Sequence, residues 1–129
     1  MIKLAISCFI FGFLSIFTQK ITAQSTEVIY KMTEQAPIPK GGLSTFYNYT
    51  EDNIKRTPIA KQKGIKGQVF VQFVVEKDGA LSNIKVIKGI GAGCDEEVIK
   101  CLKNAPRWQP GKQKGQPVRV QQTLAIAVR

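Results

Sequence analysis

The chain has 129 residues, with 19 Lys and Arg against 9 Asp and Glu, three Cys and no His. That length fits one small domain rather than two, and 43% hydrophobic with 22% charged residues is a globular composition, not a disordered one. Without His there is no Ser-His or Cys-His nucleophilic triad, the commonest metal ligand is missing, and three scattered Cys cannot build a four-thiolate zinc site, so composition argues against an enzyme and against a metal centre.

Lys3 precedes an apolar run, Leu4 to Phe17, broken only by small residues. A helix of that length spans about 21 Å, short of the ~30 Å hydrocarbon core, so the run reads as the apolar part of a secretion signal. Ala23 offers a small residue before a cut ahead of Gln24. Residues 1–23 are therefore expected to be a signal peptide, with an uncleaved inner-membrane anchor through residues 4–17 as the alternative. The remaining chain is expected outside the cytoplasm. There the net positive charge, +10 over the whole sequence, has no nucleic acid to meet and would steer the domain toward acidic partners or an anionic membrane surface.

Residues 24–42 hold few large apolar side chains and contain Pro37, Pro39, Gly41 and Gly42, the composition of a linker. Leu43, Phe46, Tyr47 and Ile54 recur at helical spacing, which predicts an amphipathic helix from Ser44 to Arg56 with Ser44 near its N-cap. A second, short helix is predicted over residues 58–63, opened by Pro58 and closed by Gly64. The period then drops to two. Residues 68–76 form a predicted strand with Val69, Val71, Phe73 and Val75 on one face. Asp78-Gly79 signals a tight hairpin turn of the primed kind, and residues 81–90 supply the return strand. Residues 95–104 predict a helix with Val98, Cys101 and Leu102 turned inward, broken by the Pro106-to-Gly111 segment. The last strand runs from Pro117 to Val128, with Val118, Val120, Leu124, Ile126 and Val128 on one face. The predicted fold is α+β in two layers, a three-stranded antiparallel sheet with helices on one face in the order α-β-β-α-β.

Three motifs invite chemistry and are better explained by structure. Gly89, Gly91 and Gly93 lead into a helix, but their spacing fits neither the dinucleotide fingerprint nor the P-loop. Asp95, Glu96 and Glu97 in the first helical turn would repel a phosphate and suit the positive end of the helix dipole. Cys94 and Cys101 would lie about 10.5 Å apart on one helix, beyond the ~7 Å a disulfide allows. They read as two small buried side chains, with pairing open only if Cys94 sits in the loop and folds back. Trp108, between Pro106 and Pro110, reads as a core plug.

Taken in order, the stretch from Pro58 through Gly67-Gln-Val-Phe-Val to Asp78-Gly79, then Cys94-Asp-Glu-Glu, Pro106-Arg-Trp-Gln-Pro-Gly111 and Gly115-Gln-Pro-Val118, resembles the TonB C-terminal domain, over roughly Leu43 to Arg129. The resemblance is to the stand-alone form of Bacteroidetes-type bacteria. It implies a periplasmic adaptor, driven in transducing members by ExbB and ExbD, that grips the TonB-box peptide of an outer-membrane transporter and thereby serves energised transmembrane transport. The implied grip is strand addition beside the last strand, with main-chain hydrogen bonds supplying affinity. Carried onto this sequence, the docking edge is Val118, Arg119, Val120, Gln121, Gln122, Thr123, Leu124, Ala125 and Ile126. The contact segment before the short helix is Lys55, Arg56, Thr57 and Pro58, where Thr57 replaces the aromatic residue of other members. No cofactor, metal, nucleic acid or small-molecule substrate is implied. The short apolar run and a linker with only Pro37 and Pro39 depart from the anchored transducers. A stand-alone envelope-interaction or cell-wall-binding module, or one that pairs with itself through the same edge, is the competing expectation.

Overall fold

The computed structural model describes residues 27–129, so the expected signal or anchor segment lies outside the described residues. Among the described residues no helix is long and apolar enough to cross a membrane. In chain order the elements are β1 (Ile29–Tyr30), β2 (Ile38–Pro39), α1 (Gly42–Asn53), α2 (Pro58–Lys63), β3 (Gly67–Val75), β4 (Leu81–Lys88), α3 (Cys94–Lys103), β5 (Trp108–Gln109), β6 (Gly111–Gln113) and β7 (Gln116–Val128).

β3 is the centre of the sheet. It pairs antiparallel with β7 from Gly67↔Val128 to Val75↔Val120 and with β4 from Phe70↔Lys88 to Val75↔Leu81. The period-2 pattern places Val69, Val71, Phe73 and Val75 on one face, all fully buried. Ile126 and Val128 of β7 join them, and the helices cover that face with Phe46 and Ile54 from α1 and its exit, Ala60 from α2, and Val98, Cys101 and Leu102 from α3. Tyr49 Oη donates to the Cys101 carbonyl at 3.1 Å, tying α1 to α3. β4 slips twice against β3, once at Ile87 and once at Asn83, the latter in the left-handed region at φ 48°. The first slip turns Ile87 out to solvent.

The α+β class holds, and several details differ from the sequence expectation. The sheet has five strands rather than three, ordered β1-β7-β3-β4 with β6 also pairing on β7, and β2 with β5 forms a second, two-stranded sheet. Two of the four extra strands, β1 and β2, come from the segment expected as a linker, and β5 and β6 from the stretch after the third helix. β1 adds in parallel to β7 (Ile29↔Arg119, Tyr30↔Val120), β2 pairs with β5 (Ile38↔Gln109, Pro39↔Trp108), and Gln35 exchanges main-chain hydrogen bonds with Lys112 at 3.1 and 2.9 Å. Pro37 and Pro39 are buried. These contacts use main-chain groups whose partners lie far along the chain, which local composition does not reveal.

The first helix begins before Ser44. Its cap is Gly41, left-handed at φ 81°, with Thr45 Oγ1 donating to the Gly41 carbonyl at 3.0 Å. It stops at Asn53 because Ile54 turns extended (φ −107°, ψ 119°) and drops its side chain into the core. α2 follows the expectation: Thr57 Oγ1 accepts from the Ala60 N–H at 3.1 Å, and Gly64 closes it at φ 69°.

The Asp78-Gly79 hairpin is a three-residue loop rather than a two-residue primed turn. The Gly79 N–H donates to the Glu76 carbonyl at 2.8 Å, Gly79 sits at φ 88°, and Glu76 N–H to Ala80 carbonyl closes the ladder. The choice of loop follows from Trp108. Its main-chain N–H donates to the Gly79 carbonyl at 2.8 Å, and its ring packs edge-on against Phe46 and Phe73, centroids 5.2 and 5.4 Å away. A Cβ on Gly79 would stand 1.9 Å from the Trp108 carbonyl oxygen. Gly79→Ala is therefore expected to cost about 2–4 kcal/mol in urea unfolding, whereas Gly115→Ala, at a similar φ with nothing within 4 Å, should cost about 1 kcal/mol.

At the hairpin end of the sheet Arg119 of β7 grips Glu76 with two bonds, Nε to Oε1 at 2.7 Å and Nη2 to Oε2 at 3.0 Å. Ser82 Oγ donates to the same carboxylate. Hydrogen bonding from Arg119 holds the Glu76 carboxyl below its usual range against the opposing effect of burial, with Ser82 and the Arg119 charge adding to it. A carboxyl lowered in the folded state stabilises fully above the ordinary glutamate range and loses that contribution as pH falls through the lowered value. The urea midpoint of Glu76→Gln should thus lie below that of the unaltered chain at pH 7, and the two should converge as pH falls through the lowered value of Glu76.

Candidate functional site

Two stretches of edge beside the central strands have no strand partner among the described residues: the outer side of β4, and the side of β7 that faces away from β3 beyond Val120. The β7 edge is the one predicted to dock a guest. It is occupied at one end. There β1 pairs in parallel with Arg119 and Val120. Val118 pairs with Gly111 of β6, which runs antiparallel along Gln116–Val118. Beyond Val120, no strand among the described residues pairs on this side along Gln121, Gln122, Thr123, Leu124, Ala125 and Ile126, although Gln122 Nε2 donates to the Gln121 carbonyl at 3.3 Å. Of their side chains only Ile126 is fully buried; Thr123 is exposed and the others are half-buried.

Arg119 is drawn away from any guest by electrostatics as well. Besides Glu76, its Nε lies 4.0 Å from Glu27 Oε1, and Glu27 Oε2 accepts from Lys77 Nζ at 3.2 Å. Both carboxylates, the hydrogen-bonded Glu76 foremost, raise the already high pKa of the guanidinium. Glu27 thereby fastens the start of β1 beside Arg119, and Glu76 ties the end of β3 to it. Neither residue stands out in the sequence as a partner of Arg119, because the pairing arises only once β3 and β7 are in register.

The pre-helix segment splits by role. Thr57 is spent on structure: besides capping α2, its Oγ1 donates to the Ala92 carbonyl at 2.5 Å. Lys55 and Pro58 are exposed. Arg56 reaches the far end of β7, donating from Nη1 to the Ile65 carbonyl at 3.4 Å while its Nε is buried without a partner. Arg56, Lys66, Gly67, Gln68, Ala127, Val128 and Arg129 line an open cleft of about 560 Å³ there. Of the predicted site residues only Arg56 lines this cleft; the expected docking edge stops short of it at Ile126. Lys66 and Arg129 were not among the predicted site residues, although Lys55, Arg56, Lys61, Lys63 and Lys66 form a basic run without an intervening carboxylate that is readable in the sequence.

The remaining motifs resolve as structure. Asp95 accepts from the Ile90 and Gly91 N–H groups at 2.9 and 3.2 Å, filling the place a phosphate would take. Cys94 and Cys101 are buried free thiols, and burial pushes the Cys101 thiol up, away from reactivity.

The sequence model of the family described as Gram-negative bacterial TonB protein C-terminal matches residues 57–127. The fold is similar to a solution structure of the Helicobacter pylori TonB C-terminal domain, at 21% identity over 67% of this chain and 90% of that one, with a TM-score of 0.51. A second solution structure of that domain matches at 19% identity over 64% of this chain and 76% of that one, with a TM-score of 0.44. No curated protein matches the chain. With more than half of its residues matched by the family model, the chain belongs to the TonB C-terminal domain family.

Proposed function

We propose that this protein is a periplasmic docking module that takes the TonB-box peptide of an outer-membrane transporter as an added strand on the Gln121–Ile126 edge of β7 and so contributes to energised transport. The observation that carries the reading is the state of that edge. Its outer main-chain groups meet no strand among the described residues, while the adjoining Arg119 and Val120 already hold β1 as an added strand in parallel. Unpaired N–H and C=O groups in a row are a template for one more strand. The half-buried Gln121, Gln122, Leu124 and Ala125 leave the backbone as the dominant recognition surface. Affinity of this kind tolerates varied guest side chains, which suits a module that serves several transporters.

The test is titration calorimetry of the protein with amino-terminal box peptides from transporters of its own genome. Binding is expected. It should be lost, by tenfold or more, when the peptide is N-methylated on alternate amides in the register that faces β7. Methylation in the opposite register leaves every side chain and the edge-facing amides in place and should change little. Absence of binding to any such peptide, or equal tolerance of both methylation registers, would remove the proposal.

A further inference from the structure

We infer that β1 is a resident strand on the docking edge, and that a guest long enough to cover Arg119 and Val120 displaces it. The inference rests on the strand-docking reading and deepens it, setting the full footprint of the guest at Arg119–Ile126 rather than at Gln121–Ile126. β1 runs parallel to β7 and leaves it just where the open stretch begins. Tyr30 lies opposite Val120, and the chain then bends at Lys31 and Met32 instead of continuing along Gln121. A guest strand running toward Arg119 therefore meets the exit of β1 before it can use the last two positions of the edge.

What holds β1 there is slight. It makes two residue pairs, and Val28 and Ile29 are both exposed, so little apolar surface is withdrawn from water. Upstream, Glu27 reaches Lys77 at 3.2 Å and Arg119 at 4.0 Å, but Glu27 and Lys77 are about half exposed, where ion pairs contribute little. The Arg119 guanidinium has its own two bonds to Glu76 and needs nothing from β1. The segment just downstream is held far better. Gln35 exchanges main-chain hydrogen bonds with Lys112, the Glu34 N–H donates to Gln113 Oε1 at 3.0 Å, and Glu34 Oε1 accepts from the Lys114 N–H at 2.7 Å. Gly111 permits this close packing, since a Cβ there would stand 3.1 Å from the Gln35 carbonyl oxygen. β1 is thus a short arm on a fixed base, and it can leave β7 without disturbing Glu34, Gln35 or the core. Tethered so near, it returns at high effective concentration. The affinity of a long guest is reduced in proportion to the fraction of molecules in which β1 is on the edge.

Two synthetic peptides, both capped at their ends, test this on the full protein: a hexamer taken from a peptide shown to bind, and a decamer that extends the same core at each end. Hydrogen exchange is read by mass spectrometry. The decamer is expected to speed exchange of residues 27–32 by about fivefold or more while Gln35 and Lys112 keep their protection, and the hexamer should leave residues 27–32 unchanged. A second readout fixes β1 in place. Ile29 and Arg119 are direct partners across a parallel ladder, within disulfide reach, so Ile29→Cys with Arg119→Cys joins β1 to β7 on oxidation. The decamer should bind the oxidised form about fivefold more weakly than the reduced form, and the hexamer should bind both equally. Comparing two redox states of one variant cancels the loss of the Arg119 bonds to Glu76. Residues 27–32 that exchange no faster with the decamer bound, or a decamer affinity equal in the two redox states, overturn the displacement while leaving strand docking in place. If neither peptide binds the unaltered protein, strand docking itself fails and the displacement with it.

Discussion

The pairing of β3 with β7 is the constraint from which the other features follow. It runs without a break from Gly67↔Val128 to Val75↔Val120 and joins parts of the chain that are distant in sequence. Its register decides that Val69, Val71, Phe73 and Val75 face the helices together with Ile126 and Val128; a slip by one residue would put the two sets on opposite faces of the sheet. The same register brings Glu76 to Arg119 and leaves the opposite side of β7 as an edge. Such distant pairing carries a loop-closure cost, and the segments between the strands reduce it. The β3–β4 hairpin folds back locally, and the Trp108 main chain clamps onto the hairpin loop at Gly79 just before the chain turns into β6 and β7.

Most of that architecture is legible wherever the signal is local. The period-2 run of residues 68–76, the Thr57-Pro58 opening and Gly64 closing of α2, and the Pro-flanked Trp108 each fix their own surroundings by sterics or burial, and each appears where the sequence puts it. Signals that depend on a distant partner are not legible. Ile29–Tyr30 and Ile38–Pro39 are too short to show a period and are strands only because Arg119, Val120, Trp108 and Gln109 offer main-chain groups at the right place. Ser44 looks like a better cap than Gly41 by side chain alone, yet the left-handed turn at Gly41 sets where the helix starts. The hairpin loop likewise took the shape that Trp108 required, which the dipeptide Asp78-Gly79 could not specify.

The candidate edge was read from the same strand, and its limits are set by the rest of the molecule. β1 covers Arg119 and Val120 at one end, and at the other the strand runs into a cleft lined by Arg56, Lys66 and Arg129 with Gly67 and Gln68 of β3. Between them the backbone is offered with modest side chains.

β1 also bears on how the domain would respond to tension. The chain upstream of Glu27 enters the fold through a strand fastened by just two residue pairs and the Glu27 contacts, whereas β7 is locked to β3 along nine. A pull arriving from that direction would peel away the weakest fastening first, as a shear pin yields before the shaft. The core would stay folded, and Arg119 and Val120 would be bared, lengthening the strip on which a second chain can lie.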